Sequence, residues 1–128
     1  MKRAEGYVAL LAVLIVSAAT VTIGLGLLII GADTGRAALV DQQSQQAQNL
    51  ATACSEEALQ IMHDNTAFTG SGNLTLGQGT CTYTVANIGG ANRTIDTTGT
   101  VNNIVRKLKV YATIGASSIS ITSWQEVS

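Results

Sequence analysis

Residues 7–32 carry no charged side chain, and Val, Leu and Ile recur so densely between 8 and 30 that a helix over this stretch is apolar on every side. A helix rises about 1.5 Å per residue, so the run reaches about 40 Å against a hydrocarbon core of about 30 Å. The pattern predicts a membrane-spanning helix. Over 33–64 it becomes two-sided. Ala47, Ala51, Cys54, Ala58 and Ile61 recur at spacings of four and three, while Gln42, Gln43, Gln45, Gln46 and Gln48 fill much of the remainder. That is the signature of an amphipathic helix. The chain has no proline, so nothing obliges a break between the two parts. Gly24, Gly26, Gly31 and Gly35 are the weak points, each costing about 1 kcal/mol relative to Ala in a helix interior. Melting is expected around 31–35, although small residues also permit close helix packing.

After Asn65 the texture changes to Gly, Ser and Thr between short runs of Thr, Val, Ile and Tyr, which is turn and strand chemistry. Strands are predicted over 79–87, 93–101, 104–114 and 118–126, with a shorter extended piece at 73–76. Ile88-Gly89-Gly90-Ala91, Asn102-Asn103 and Gly115-Ala116-Ser117 are the reversals, so neighbouring strands are antiparallel. Leu108, Val110, Ala112 and Ile114, with Ile119 and Ile121, supply an apolar face, and the Ala47-to-Ile61 stripe is its expected cover. The fold class is α+β: a long N-terminal hydrophobic helix continues into an amphipathic helix packed on a small antiparallel sheet. The organisation reads as a basic leader-like segment (1–6), an apolar helix (7–32), an amphipathic helix (33–64) and a sheet head (65–128).

Charge orients the anchor. Lys2 and Arg3 precede the apolar run, whereas Asp33 and Arg36 after it cancel, which places the N-terminus in the cytoplasm and the head outside. Ala32 and Gly35 imitate a signal cleavage site, but the run is too long for an ordinary secretory signal. Charged residues are 12% of the 128-residue chain and the net charge is -1, which argues against a nucleic-acid groove or a polybasic membrane patch.

Cys54 and Cys81 are the only cysteines. In an exported segment such a pair is expected to form a disulfide, with two buried free thiols as the alternative. A bridge would staple helix to sheet and, in the chain-entropy model, is worth roughly 3 to 4 kcal/mol. His63 is the only histidine and there is no CxxC, so no metal site is expected. No catalytic group or cofactor is expected either. His63 beside Asp64 suits a surface role, and Ser55, Glu56 and Glu57 read as a solvated helix face. Gly77-Gln78-Gly79 lacks the length and lysine of a phosphate loop. Lys107 and Lys109 share one strand face, with Arg106 beside them. A solvated sheet face is the plain reading of this strip; contact with DNA, an anionic polymer or a neighbouring subunit's acid is the functional one. Asn73-Leu74-Thr75 and Asn92-Arg93-Thr94 match glycosylation sequons and matter only in a glycosylating host.

A basic pair, the Gly6-Tyr7 junction, an uncharged run, an amphipathic continuation and a small antiparallel sheet together resemble the type IV pilins. Arg3-Ala4-Glu5-Gly6-Tyr7-Val8-Ala9-Leu10-Leu11 is most similar to PilX-like members and to related proteins of reduced-genome bacterial lineages. Cys54-Ser55-Glu56-Glu57-Ala58-Leu59, Gly79-Thr80-Cys81-Thr82-Tyr83-Thr84-Val85 and Ser123-Trp124-Gln125-Glu126 carry the resemblance into the head. The family implies leader removal at Gly6-Tyr7 by a prepilin peptidase and a pilus assembly machinery that lifts subunits from the inner membrane into an extracellular filament. Leu10, Leu11, Leu14, Ile15, Ile23, Leu27 and Leu28 would then lie in the filament core, and stretching near Gly24 to Gly35 would let the fibre extend.

One position departs from the family. Pilins usually carry glutamate at the fifth mature position, where it neutralises a neighbour's terminal amine; counted from Tyr7 that position is Leu11. The amine must find another partner, be methylated yet solvated, or never be created. If the leader stays, Glu5 can pair with Lys2 or Arg3 of an adjacent chain; the plainer reading makes Glu5 a solvated leader residue. The expected function is a structural subunit of a type IV pilus-like filament used for adhesion, twitching or DNA uptake. The alternative is a single-pass anchored binding protein, or a type II secretion pseudopilin that forms no long fibre.

Overall fold

The computed structural model describes residues 2–128, with side chains from residue 5 onward; contacts of Lys2 and Arg3 lie outside the described residues. The elements are α1 (Lys2–Asp64), β1 (Gly70–Leu76), β2 (Gly79–Gly89), β3 (Asn92–Val101), β4 (Ile104–Ile114) and β5 (Ile119–Val127). One long apolar helix followed by five strands gives the α+β layout. Residues Met1–Leu39 and Val40–Ser128 form two compact units.

In the first unit the backbone is helical through Gly24, Gly26, Gly31 and Gly35, so the melting expected near 31–35 is not present in the single chain. The polar side chains of this stretch are spent locally. The hydroxyls of Ser17, Thr20, Thr22 and Thr34 each donate to a carbonyl one turn back, at 2.7, 2.7, 3.1 and 2.9 Å. These four aliphatic hydroxyls are thus paired with the helix's own backbone, which lowers the cost of entering lipid or a dry helix bundle.

In the second unit the strands pair in the order β1-β2-β3-β4-β5, every pair antiparallel. Backbone conformations that favour glycine or asparagine mark the turns: Gly77 (φ 60°) between β1 and β2, Gly90 (φ 55°) between β2 and β3, and Asn102 (φ 52°) between β3 and β4. β1 starts at Gly70, three residues before the predicted extended piece. Its glycines hid it: Gly70 and Gly72 weaken strand propensity, but pairing of Gly72 with Tyr83 leaves room for the Tyr83 ring, which a Cβ at 72 would strike.

Ala47, Leu50, Ala51, Cys54, Ala58 and Met62 of α1 are buried with Cys81, Tyr83, Val85, Ile95, Val101, Leu108, Val110 and Ala112 of the sheet. Small helix residues allow a close approach. A Cβ on Gly99 would collide with the Ala47 carbonyl, and one on Gly79 with the Leu50 side chain. Ile61 is only partly buried and Met62 fills the core in its place. A second correction concerns Ser55, which is fully buried instead of solvated. Its hydroxyl donates to the Ala51 carbonyl at 2.9 Å and lies 3.1 Å from the Thr97 hydroxyl, so burial leaves it satisfied. Glu56 and Glu57 are exposed as expected.

The apolar face of the sheet is wider than its cover. β5 pairs Trp124 with Val110 and Ile121 with Ala112, which puts both on the helix side of the sheet. Yet Ile121 is 47% and Trp124 39% exposed, because α1 lies over β2, β3 and β4. Ile121 is therefore not under the helix, contrary to expectation.

Candidate functional site

Among the described residues no three His, Cys, Asp or Glu side chains are grouped to hold a metal. The chain's distinctive chemistry is uncovered apolar surface. Leu10, Leu11, Leu14, Ile15, Ile23, Leu27 and Leu28 are all exposed, from 46% at Leu11 to 71% at Leu28. The segment is long and apolar enough to cross a membrane. Each of these side chains stays in water unless lipid or another polypeptide removes it. Gly6 and Tyr7 lie in the first turns of α1 and are exposed, as is Glu5. Gly24, Gly26, Gly31 and Gly35 have nothing within 4 Å of the space a Cβ would occupy.

In the second unit Cys54 and Cys81 are bonded, with Cα atoms 6.1 Å apart, and join α1 to β2. Both are buried, so the bridge sits inside the helix–sheet core.

The basic residues of β4 divide between two faces. Leu108 and Val110 point to the helix, which places Lys107 and Lys109 on the outer face and Arg106 on the inner one. The guanidinium of Arg106 donates from Nε to the Ser44 hydroxyl at 2.8 Å and from Nη1 to Glu126 at 2.8 Å. It ties α1, β4 and β5 together, and the positive strip is left to the two lysines. Lys109 lies 3.4 Å from Asp96 on the adjacent strand. Across the sheet Lys109 aligns with Asp96 and Gln125, and Lys107 with Thr98 and Val127. This outer face is a polar array, with Thr80, Thr82, Thr84, Thr98 and Thr100 on it.

Two features escaped the sequence. Arg93 is buried beneath the residues that follow α1, where Nη1 donates to the Gly90 and Asn92 carbonyls at 2.9 and 3.0 Å and Nη2 to the Thr66 carbonyl at 3.4 Å. Its place in a sequon-like triplet gave no hint of this, and only its inward register, two residues before Ile95, could have. The other is the groove between α1 and β5, with Leu59, Ile119 and Ile121 as its apolar lining and Glu56, Gln60 and His63 along the helix rim. Finding it required knowing which strands the helix leaves bare.

No protein-family model, curated protein or solved structure matches this chain.

Proposed function

We propose that the chain is a structural subunit of a type IV pilus-like extracellular filament, held in the cytoplasmic membrane by its N-terminal helix before assembly. The observation that carries this reading is the bare apolar segment from Val8 to Ile30, whose large side chains are all exposed in the single chain. Burial of apolar surface is worth roughly 25 cal/mol per Å². Over so many side chains this favours bundling among copies once the helix leaves lipid. The back-bonded hydroxyls of Ser17, Thr20, Thr22 and Thr34 fit a dry bundle as well as a bilayer. The pilin-like order of elements, with an apolar helix continuing into an amphipathic one under an antiparallel sheet, supports the same reading. A plain lipid anchor has no need of the Ala-striped continuation, whereas a subunit requires its head fixed to the helix that packs the fibre. Orientation with the head outside follows from Lys2 and Arg3, and the disulfide suits an oxidising compartment.

The test is electron microscopy of sheared surface material with mass spectrometry of its main band, which also reads the N-terminus and decides between Met1 and Tyr7. Fibres containing the chain are expected. Recovery of the chain only as single molecules in the membrane fraction, from cells whose fibres lack it, supports the anchored binding protein instead.

A further inference from the structure

The exposed charges of the second unit are sorted by face. Asp41, Glu56, Glu57 and Asp64 are all exposed on the part of α1 that belongs to this unit, where among the described residues the only basic group is His63, and Arg106 is neutralised by Glu126. On the outer face of the sheet the sorting reverses. Lys107 and Lys109 stand there with Asp96 as the single acid contributed by the five strands. The acids of α1 therefore sit on one side of the sheet and the two lysines on the other, and within one copy Lys109 is paired with Asp96 on its own face whereas no acid of α1 reaches the strip.

We infer that the groove between α1 and β5, rimmed by Glu56, receives the Lys107–Lys109 strip of a second copy of this chain. The chemistry of the two surfaces agrees beyond charge. The groove floor is apolar, with Leu59, Ile119 and the half-exposed Ile121. A lysine lays its methylene stem along such a floor while its ammonium reaches the acid at the rim. Flanking the strip on the same strand face are Val105, 48% exposed, and Tyr111, which supply further apolar contact. Because the two surfaces differ and face opposite ways, the contact is heterologous, and contacts of that type propagate into rings or open helical arrays instead of closing as dimers. The inference rests on the filament reading and adds to it the surface by which successive heads engage.

The test uses the full chain, in detergent micelles and in sheared surface material, prepared as a mixture of light and heavy nitrogen-labelled copies. A carbodiimide joins an amine directly to a carboxylate it touches, so a peptide carrying both labels reports contact between copies. Mixed-label links from Lys107 or Lys109 to Glu56 are expected. Reversal in K107E/K109E, or separately in E56K, lowers the parent contact about ten-fold, since like charges then face each other. Combining the two reversals restores assembly and yields links of the opposite polarity, which a variant that merely misfolded could not do. An intact Cys54–Cys81 bridge in every variant, read by mass, checks the fold. Absence of mixed-label links in the native chain, or failure of the combined reversal to restore them, overturns the inference. Retention of a double-stranded DNA fragment by the native chain, lost in K107E/K109E, with no such links, assigns the strip to a polyanion and also overturns it. Fibres without these links end the docking inference alone; links without fibres leave it standing and end the filament reading.

Discussion

The Ser55 hydroxyl lies 3.1 Å from the Thr97 hydroxyl in the packed interface of α1 and β3, and both side chains are buried. Neither is isolated there, since Ser55 also donates to the Ala51 carbonyl and Thr97 is 3.5 Å from the Leu108 carbonyl. Removing one partner is costlier than removing both. Ser55→Ala leaves Thr97 with only its long contact and is expected to cost about 1 to 2 kcal/mol, whereas Thr97→Val leaves Ser55 bonded to Ala51 and costs less. The double variant is expected to recover about 1 kcal/mol of the summed losses. Chemical denaturation followed by the fluorescence of Trp124, the only tryptophan, measures all three. Strict additivity would show that the two hydroxyls do not interact.

The disulfide closes a separation of 27 residues between α1 and β2. Replacing both Cys54 and Cys81 by Ala is expected to cost about 3 to 4 kcal/mol, mainly by freeing the unfolded chain. Both sulfurs are inside the core, so reductant is expected to act only when the unit opens. Thiol alkylation followed by mass spectrometry should be slow in native buffer and fast above the denaturation midpoint. Rapid labelling of the native chain would place the bridge at an accessible surface.

The sequence was most legible where the pattern is long. The uncharged run over 7–32, the alternation around Leu108 and Val110, and the Asn and Gly turns each carry a period or a backbone requirement that few structures satisfy. Ser55 reads as solvated because its neighbours Glu56 and Glu57 are polar; the angle between successive helix residues, not the polarity of the neighbours, decides burial, and Ser55 falls beside Ala51 and Ala58. β1 was half hidden by its glycines. The two-faced placement of Arg106 against Lys107 follows from strand alternation, but its bonds to Ser44 and Glu126 depend on tertiary approach. The bare side of β5 is invisible in one dimension for the same reason, since Ile121 has the same alternation as the buried Val110.

Gly99 sets the distance between α1 and the sheet. A Cβ at this position would meet the Ala47 carbonyl and the Ala51 amide, which are backbone atoms of the helix and cannot rotate aside. Gly99→Ala is therefore expected to destabilise the unit by about 1 to 3 kcal/mol, although alanine is the smallest available change. Thr82→Ala, on the exposed outer face, serves as the control and is expected to stay within about 0.5 kcal/mol of the native chain. Equal denaturation midpoints for the two variants would mean that helix and sheet are less closely packed than the glycine requires.

Ile23 lies near the centre of the apolar segment, is well exposed, and has nearby hydroxyls at Thr20 and Thr22 already bonded to their own helix carbonyls. A lysine there finds no ready partner. Ile23→Lys is expected to cost about 3 kcal/mol per copy at the centre of a membrane span, and in a bundle the cost recurs with every subunit, so fibre yield should fall to background. The second unit contributes nothing to that loss: its denaturation midpoint and its Cys54–Cys81 bridge are expected to match the native chain. Gln45→Lys, in the exposed polar part of α1, is expected to leave fibre yield unchanged. Native fibre yield from Ile23→Lys would mean that this helix segment is not packed between copies, and the filament-core assignment of Leu10, Leu11, Leu14, Ile15, Ile23, Leu27 and Leu28 would fall with it.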